Sequence, residues 1–343
     1  MKVYAPIPSA ALTWGIDTQD ITDDLTASCI AAVPALCTES YMYCYKDMPS
    51  KLDLSQFDLV MISDIEFYSL ATITQWIQQQ GIQRYILQVG GLAHNETIDL
   101  TNTVYRPWWV YNCLKFNKFE ITQANNKPYQ FEMLLGARRP HRDFAMLSFQ
   151  QSGLLDSSIV TYRSVFQGHC IDQCSQQIAQ AFAPVELEYP YISPNLDPAW
   201  EVSSNINYQI SPFIPWEIYR RTNYSVLCET LGMGETFFMS EKAAKVLFGK
   251  RVFVAFAAQH YLKYLKQLGF QTFETVIDET YDNEPDYLKR YRQAFKQIQY
   301  LDTCNSTQLF EKLNPILEHN HHHLQVLNNQ INQNVLQLVY AYL

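Results

Sequence analysis

Two short stretches carry residue types suited to holding a negatively charged ligand. Ser240-Glu241-Lys242 sets a hydroxyl, a carboxylate and an ammonium side by side, directly after the apolar run Phe237–Met239. Arg138, Arg139 and Arg142 cluster after Gly136 and around Pro140. Ser240 is a favoured helix N-cap and Gly249 a favoured stop, so a helix is expected from Ser240 to Phe248. Pro140 suits a first helical turn, where its missing N–H costs nothing. The three arginines therefore fall at a strand-to-helix junction. Backbone donors, the positive end of the helix dipole and guanidinium groups together suit a phosphate or pyrophosphate. A solvated basic turn is the plain alternative.

The flanking sequence supplies elements to position these residues. Tyr129–Leu135 and Tyr224–Cys228 read as strands, the second leading into Glu229 and a glycine-containing turn from Leu231 to Glu235. Arg251–Phe256 reads as a buried strand, followed by a helix from about His260 to Leu268 that stops at Gly269. Ile159–Phe166 is expected as a strand and Cys170–Phe182 as a helix. In the N-terminal half, strands are expected at Lys2–Pro6, Phe57–Ser63 and Arg84–Val89. Helices are expected at 27–38, interrupted near Pro34, and at 65–80 with Gly81 as the stop. A Gly90-Gly91 turn follows the third strand. Strand–helix alternation of this kind predicts an α/β architecture, and the polar segment Thr122–Pro128 reads as an interdomain linker. Acids between 275 and 292 read as solvated helix starts, and the sequence from Thr307 as one or two amphipathic helices. His319, His321, His322 and His323 within that tail suggest no function. Trp108-Trp109 offers one ring for the core and one to cover a ligand.

At 343 residues the chain is long enough for two domains. Only 17% of its residues are charged and 48% are apolar, which favours a folded globule over disorder. A net charge of −9 argues against a protein devoted to clamping nucleic-acid phosphates. The N-terminus lacks a continuous apolar stretch of signal-peptide type, and no run reaches the ~18 apolar residues of a membrane span. The eight cysteines include no CxxC pair. Cys170 and Cys174, with His169, are the nearest approach to a metal-ligand spacing, but reduced thiols in a cytoplasmic protein fit better.

Glu229 with its turn, then Phe238-Met239-Ser240-Glu241-Lys242, resembles the donor-binding motif of the α1,3-fucosyltransferase family. Tyr261-Leu262-Lys263-Tyr264-Leu265, Leu268-Gly269-Phe270, Thr272-Phe273, Asp278-Glu279 and Tyr281-Asp282 are similar to fucosyltransferase-like proteins of bacteria and viruses, as is Gly136–Asp143. The resemblance covers about residues 129–300. Ser240 stands where the family has Thr, and Tyr is absent two positions earlier.

The resemblance implies a GT-B-like α/β fold, with two Rossmann-like domains facing a cleft and C-terminal helices. Its boundaries would be an acceptor-side domain at 1–125, a donor domain at 126–302 and a helical tail at 303–343. It implies transfer from a nucleotide diphosphate sugar, GDP-sugar favoured, to a hydroxyl of a glycan, protein or nucleic-acid acceptor. Transfer would proceed with inversion, without metal and without cofactor. Arg138, Arg139, Arg142, Glu229, Glu235, Ser240, Glu241 and Lys242 would bind the donor. Lys242 and an arginine would neutralise the departing diphosphate, and Glu241 would accept from ribose hydroxyls. Asp64, Glu66 and His94 are the candidate acceptor bases by position. Two other readings compete: a nucleotide-sugar-binding protein without transfer activity, and a glycosyltransferase acting on DNA bases. An NAD-dependent oxidoreductase is disfavoured because no GxGxxG follows the first strand.

Overall fold

The structure, a computed structural model, describes residues 2–4, 29–34, 59–64, 74, 77–79, 81–92, 102–105, 107, 110, 113–114, 117, 127–163, 173–196 and 213–342. The chain divides into two units, Met1–Tyr111 with Val326–Leu343, and Asn112–Gln325. Both contain parallel sheet, so the chain is α/β. No described helix is long and apolar enough to cross a membrane.

The first unit holds β1 (Lys2–Tyr4), β2 (Cys29–Pro34), β3 (Leu59–Asp64), β4 (Tyr85–Val89), the short β5 (Gly91–Leu92) and β6 (Thr103–Tyr105). Its five-stranded sheet runs β1-β2-β3-β4-β6, with every neighbouring pair parallel. The expected helix at 27–38 is a correction, because Cys29–Pro34 is a strand. Ile30 pairs with both Val3 and Leu59, at the interior of the sheet. An interior parallel strand is a continuous apolar run, and periodicity alone does not separate that from a buried helical turn. The glycine stop does appear: helical residues 77–79 end at Gly81, whose φ of 66° is left-handed. Trp108, Trp109, His169 and Cys170 lie outside the described residues; Cys174 sits in a helix.

The second unit begins with β7 (Tyr129–Leu135), α1 (Pro140–Ser152), β8 (Ser158–Tyr162), α2 (Gln173–Ala181) and β9 (Tyr191–Ile192). It continues through α3 (Trp216–Arg221), β10 (Thr222–Cys228), the short β11 (Phe237–Phe238), α4 (Glu241–Phe248), β12 (Phe253–Phe256) and α5 (Tyr261–Gln267). A 3₁₀ turn (Glu279–Asn283), α6 (Tyr287–Thr303) and α7 (Ser306–Tyr342) complete it; α7 carries on into the first unit. The acids at 278 and 286 are caps, with Asp278 accepting from Thr280 N and Asp286 from Lys289 N.

The sheet order is β12-β10-β7-β8-β9. The first four strands are parallel and β9 runs antiparallel to β8. From β7 the chain first moves to β8 on one side, then returns to place β10 on the other. The order therefore reverses between β7 and β10, and the carboxyl ends of that strand pair are where open α/β sheets of this topology form a ligand crevice. Strands β8, β10 and β12 are buried along their whole length. Phe131 packs edge-on against Phe149 at 5.8 Å, tying α1 to the sheet. Each such ring contributes about 1.5–3 kcal/mol through burial.

Two polar devices lock this unit. Arg251, almost wholly buried, donates to Ser225 Oγ, Tyr219 O, Thr222 O and Thr222 Oγ1, so one guanidinium fixes the end of α3 to the start of β10. On α7, His321 Nδ1 donates to Phe248 O at 2.7 Å, at the end of α4. His319 and His323 donate from Nε2 to Gly269 O and Leu268 O, at 2.9 and 2.6 Å, at the end of α5. These carbonyls have no partner inside their own helices, and a carbonyl only accepts, so each facing ring nitrogen carries the proton. Three of the four histidines left without a role by sequence, His319, His321 and His323, are thus helix C-terminal caps. Gly269 is required beside them: its φ is 94°, and a Cβ there would meet His323 Nε2 at 2.5 Å. Buried Asn320 bonds both N and O of Gln271 at 2.8 Å. Asn320→Ala strands both groups and is expected to cost about 1–3 kcal/mol. Denaturant unfolding monitored by circular dichroism checks it.

Candidate functional site

The crevice between β7 and β10 is where the expected donor residues converge. Strand β7 leaves at Leu135 through Gly136–Arg138 into Arg139, the N-cap of α1. No side chain caps this helix start. Strand β10 leaves at Cys228 into Glu229, the turn, β11 and the Ser240 cap of α4. Two strand-to-helix junctions thus rise from neighbouring strands.

The three arginines differ in their commitments. Arg138 forms an ion pair with Asp143 at 2.7 Å and lies 5.2 Å over the Tyr189 ring. Asp143 also accepts from Tyr162 OH, and burial, followed by the Asp143 charge, pushes the Tyr162 hydroxyl well up. Arg142 is 4% exposed and bonds only carbonyls, Ala137 O at 2.8 Å and Glu229 O at 3.2 Å. Burial lowers its pKa. Neither Arg139 nor Arg142 forms an ion pair among the described residues, and the buried Nε of each has no hydrogen-bond partner. Arg139 and Arg142 are therefore cations at the crevice without a carboxylate.

At the other junction the groups satisfy one another. Ser240 Oγ accepts from Lys242 N at 3.1 Å. Lys242 Nζ pairs with Glu241 Oε1 at 2.7 Å and reaches Thr230 Oγ1 at 3.5 Å. Burial works to raise the Glu241 pKa, but the charges of Lys242 and Lys245 outweigh it and hold the carboxyl below its usual range. Glu241 is thus a carboxylate at neutral pH. Lys242 retains 23% side-chain exposure.

Glu229 is fully buried and its oxygens are occupied. Oε2 accepts from Thr230 N at 2.9 Å, and Oε1 accepts from Ser240 N at 3.1 Å and Tyr261 OH at 2.9 Å. Its own carbonyl receives His141 Nε2 at 2.7 Å as well as Arg142. Ser240 is likewise fully buried. Both residues hold the crevice together, with no oxygen facing out. Glu235 is exposed on the turn, where Tyr264 has its pKa raised by burial and then by the Glu235 charge. Asp64 ends β3 in the first unit, in register with Val89. Glu66 and His94 lie outside the described residues.

Sequence reasoning passed over His141, Tyr261 and Gly232. Burial, and then the Arg142 charge, hold His141 neutral, its pKa well below the usual value. Its Nε2 must carry the proton it gives to Glu229 O. Gly232 packs flat on the imidazole, and its carbonyl takes Tyr291 OH and Arg290 Nη2. A Cβ at Gly232 would meet His141 Nδ1 at 2.2 Å. The signal for this was the pair of glycines, Gly232 and Gly234, in a turn beside an expected site. Gly232→Ala must displace a buried ring and is expected to destabilise the protein by about 1–3 kcal/mol; thermal melts measure the loss, and an unchanged midpoint contradicts the packing. Compared with known proteins, the chain matches no family model and no curated sequence.

Proposed function

We propose that the chain is a metal-independent, inverting glycosyltransferase of GT-B type, taking its sugar from a nucleotide diphosphate sugar, GDP-sugar favoured. The observation that carries this reading is Arg142. A guanidinium buried at 4% exposure, bonded only to carbonyls and lacking a carboxylate, occupies the crevice at a strand-order reversal. Isolated buried charge is costly, and an anionic ligand relieves that cost. Arg139 adds a second unpaired cation, and Lys242 a third that is exchangeable from Glu241.

In this reading the diphosphate lies across the crevice. The bond between the anomeric carbon and the phosphate oxygen breaks, and the electron pair leaves on that oxygen. Arg142, Arg139 and Lys242 stabilise the charge that develops there. The acceptor hydroxyl oxygen forms the new bond on the opposite face and gives its proton to a carboxylate or imidazole, with Asp64, Glu66 and His94 as candidates. Once Lys242 has turned to the diphosphate, Glu241 is free to accept from the ribose hydroxyls. Arg138, paired with Asp143, adds its charge to the same junction.

Thermal melts with GDP, UDP and their sugars test the reading. A ligand at about 100 times its Kd stabilises the fold by about 2.7 kcal/mol, a readable rise in Tm. Lys242→Glu is expected to abolish that rise; it also sets a second carboxylate beside the mostly buried Glu241 and lowers the unliganded melt, so the ligand shift is read against each protein's own unliganded midpoint. An absence of any response to nucleoside diphosphates, or a Lys242→Glu response equal to wild type, overturns the proposal. Binding without release of nucleotide to any acceptor assigns the chain to the nucleotide-sugar-binding alternative.

A further inference from the structure

We propose that Glu229 is a positioning residue that makes the α1 and α4 starts move as one body. This rests on the reading of the crevice as an anion site. The mechanical link is a single peptide plane. Glu229 C=O and Thr230 N–H belong to the same planar unit and point in opposite directions. Oε2 of Glu229 takes that N–H at 2.9 Å and so sets the rotation of the plane. The rotation aims the carbonyl at His141 Nε2 and Arg142 Nη2, at 2.7 and 3.2 Å, both in the first turn of α1. The other oxygen, Oε1, takes Ser240 N at 3.1 Å and so holds the cap that precedes Lys242. Tyr261 OH, at 2.9 Å, steers Oε1 from α5.

A ligand contacting Arg142 and Lys242 therefore meets two cations whose spacing is set by a residue it does not touch. A charged acceptor is needed for this. Thr230 N and Ser240 N are both donors on opposite oxygens, so an amide at 229 satisfies one of them and turns its own N–H₂ against the other. The carboxylate alone accepts from both sides.

Glu229→Gln, which preserves volume, tests the proposal with two readouts on the whole protein. The first is amide hydrogen exchange by mass spectrometry. Exchange is expected to quicken about tenfold, the effect of losing one hydrogen bond to a charged group, in the peptides spanning both 138–145 and 238–245. The β12 strand is expected to keep its protection. Acceleration confined to 229–241, with the α1 start unchanged, overturns the proposal. The second readout is calorimetric titration with inorganic pyrophosphate. Affinity is expected to fall about tenfold although no cation has been altered, and an affinity equal to wild type, alongside quickened exchange, also overturns it. If wild-type protein binds no pyrophosphate, the anion-site reading fails and the exchange pattern alone decides the coupling. Should Glu229→Gln not fold, Tyr261→Phe removes one of the three donors and leaves the carboxylate. The same two-segment pattern is then expected at smaller size, and a purely local one overturns the proposal.

Discussion

A buried carboxylate that has no exposed oxygen holds this site together. Glu229 accepts from the peptide that follows it, from the cap of α4 and from a tyrosine on α5, while its carbonyl fixes the first turn of α1. Each bond is ordinary in length. Their combination at one residue means that the two junctions carrying Arg139, Arg142 and Lys242 cannot shift independently. Such satisfied polar networks in a low dielectric are rigid, and rigidity is what a preorganised charge site requires.

Charge around the crevice is distributed unevenly. Arg138 and Lys242 have acidic partners at 2.7 Å, whereas Arg142 and Arg139 have none. A buried Arg142 without an ion-pair partner, beside a half-buried Arg139, carries an electrostatic cost. Stability does not explain that arrangement, since a neutral side chain would fill the same space with less cost. In the proposed reading an anion from outside relieves that cost, and the carboxyl ends of parallel strands at a reversal of strand order are where open α/β sheets bind ligands.

Much of the frame was legible in sequence because its signals are local. Pro140 at the helix start, the Ser240 cap and the glycines after α1 and α5 each mark a boundary within a few residues. The clustering of Arg138, Arg139 and Arg142 was equally visible. What the sequence hid is long-range. Glu229 looks like an exposed acid after a strand until Tyr261, 32 positions away, and His141, 88 positions away, are seen to meet it. Arg138 looks as available as Arg139 until Asp143, five positions on in the first turn of α1, closes on it. The histidines of α7 gave no sign of their targets, which lie 50 to 73 positions back. Strand β2 was missed because its identity comes from its neighbours on both sides.

The central claim is that Arg142 is buried unpaired for the sake of an anion. Titration calorimetry of GDP into wild type and Arg142→Gln, with a thermal melt of each, measures it most directly. Gln removes the charge and retains a donor for one of the two carbonyls, at a cost of about 1–3 kcal/mol for the one left without a partner. The account predicts that Arg142→Gln stays folded, with a modestly lowered midpoint, and loses GDP affinity by about a hundredfold or more, the effect of removing a buried charge–charge contact. A folded Arg142→Gln protein that binds GDP as tightly as wild type contradicts the account.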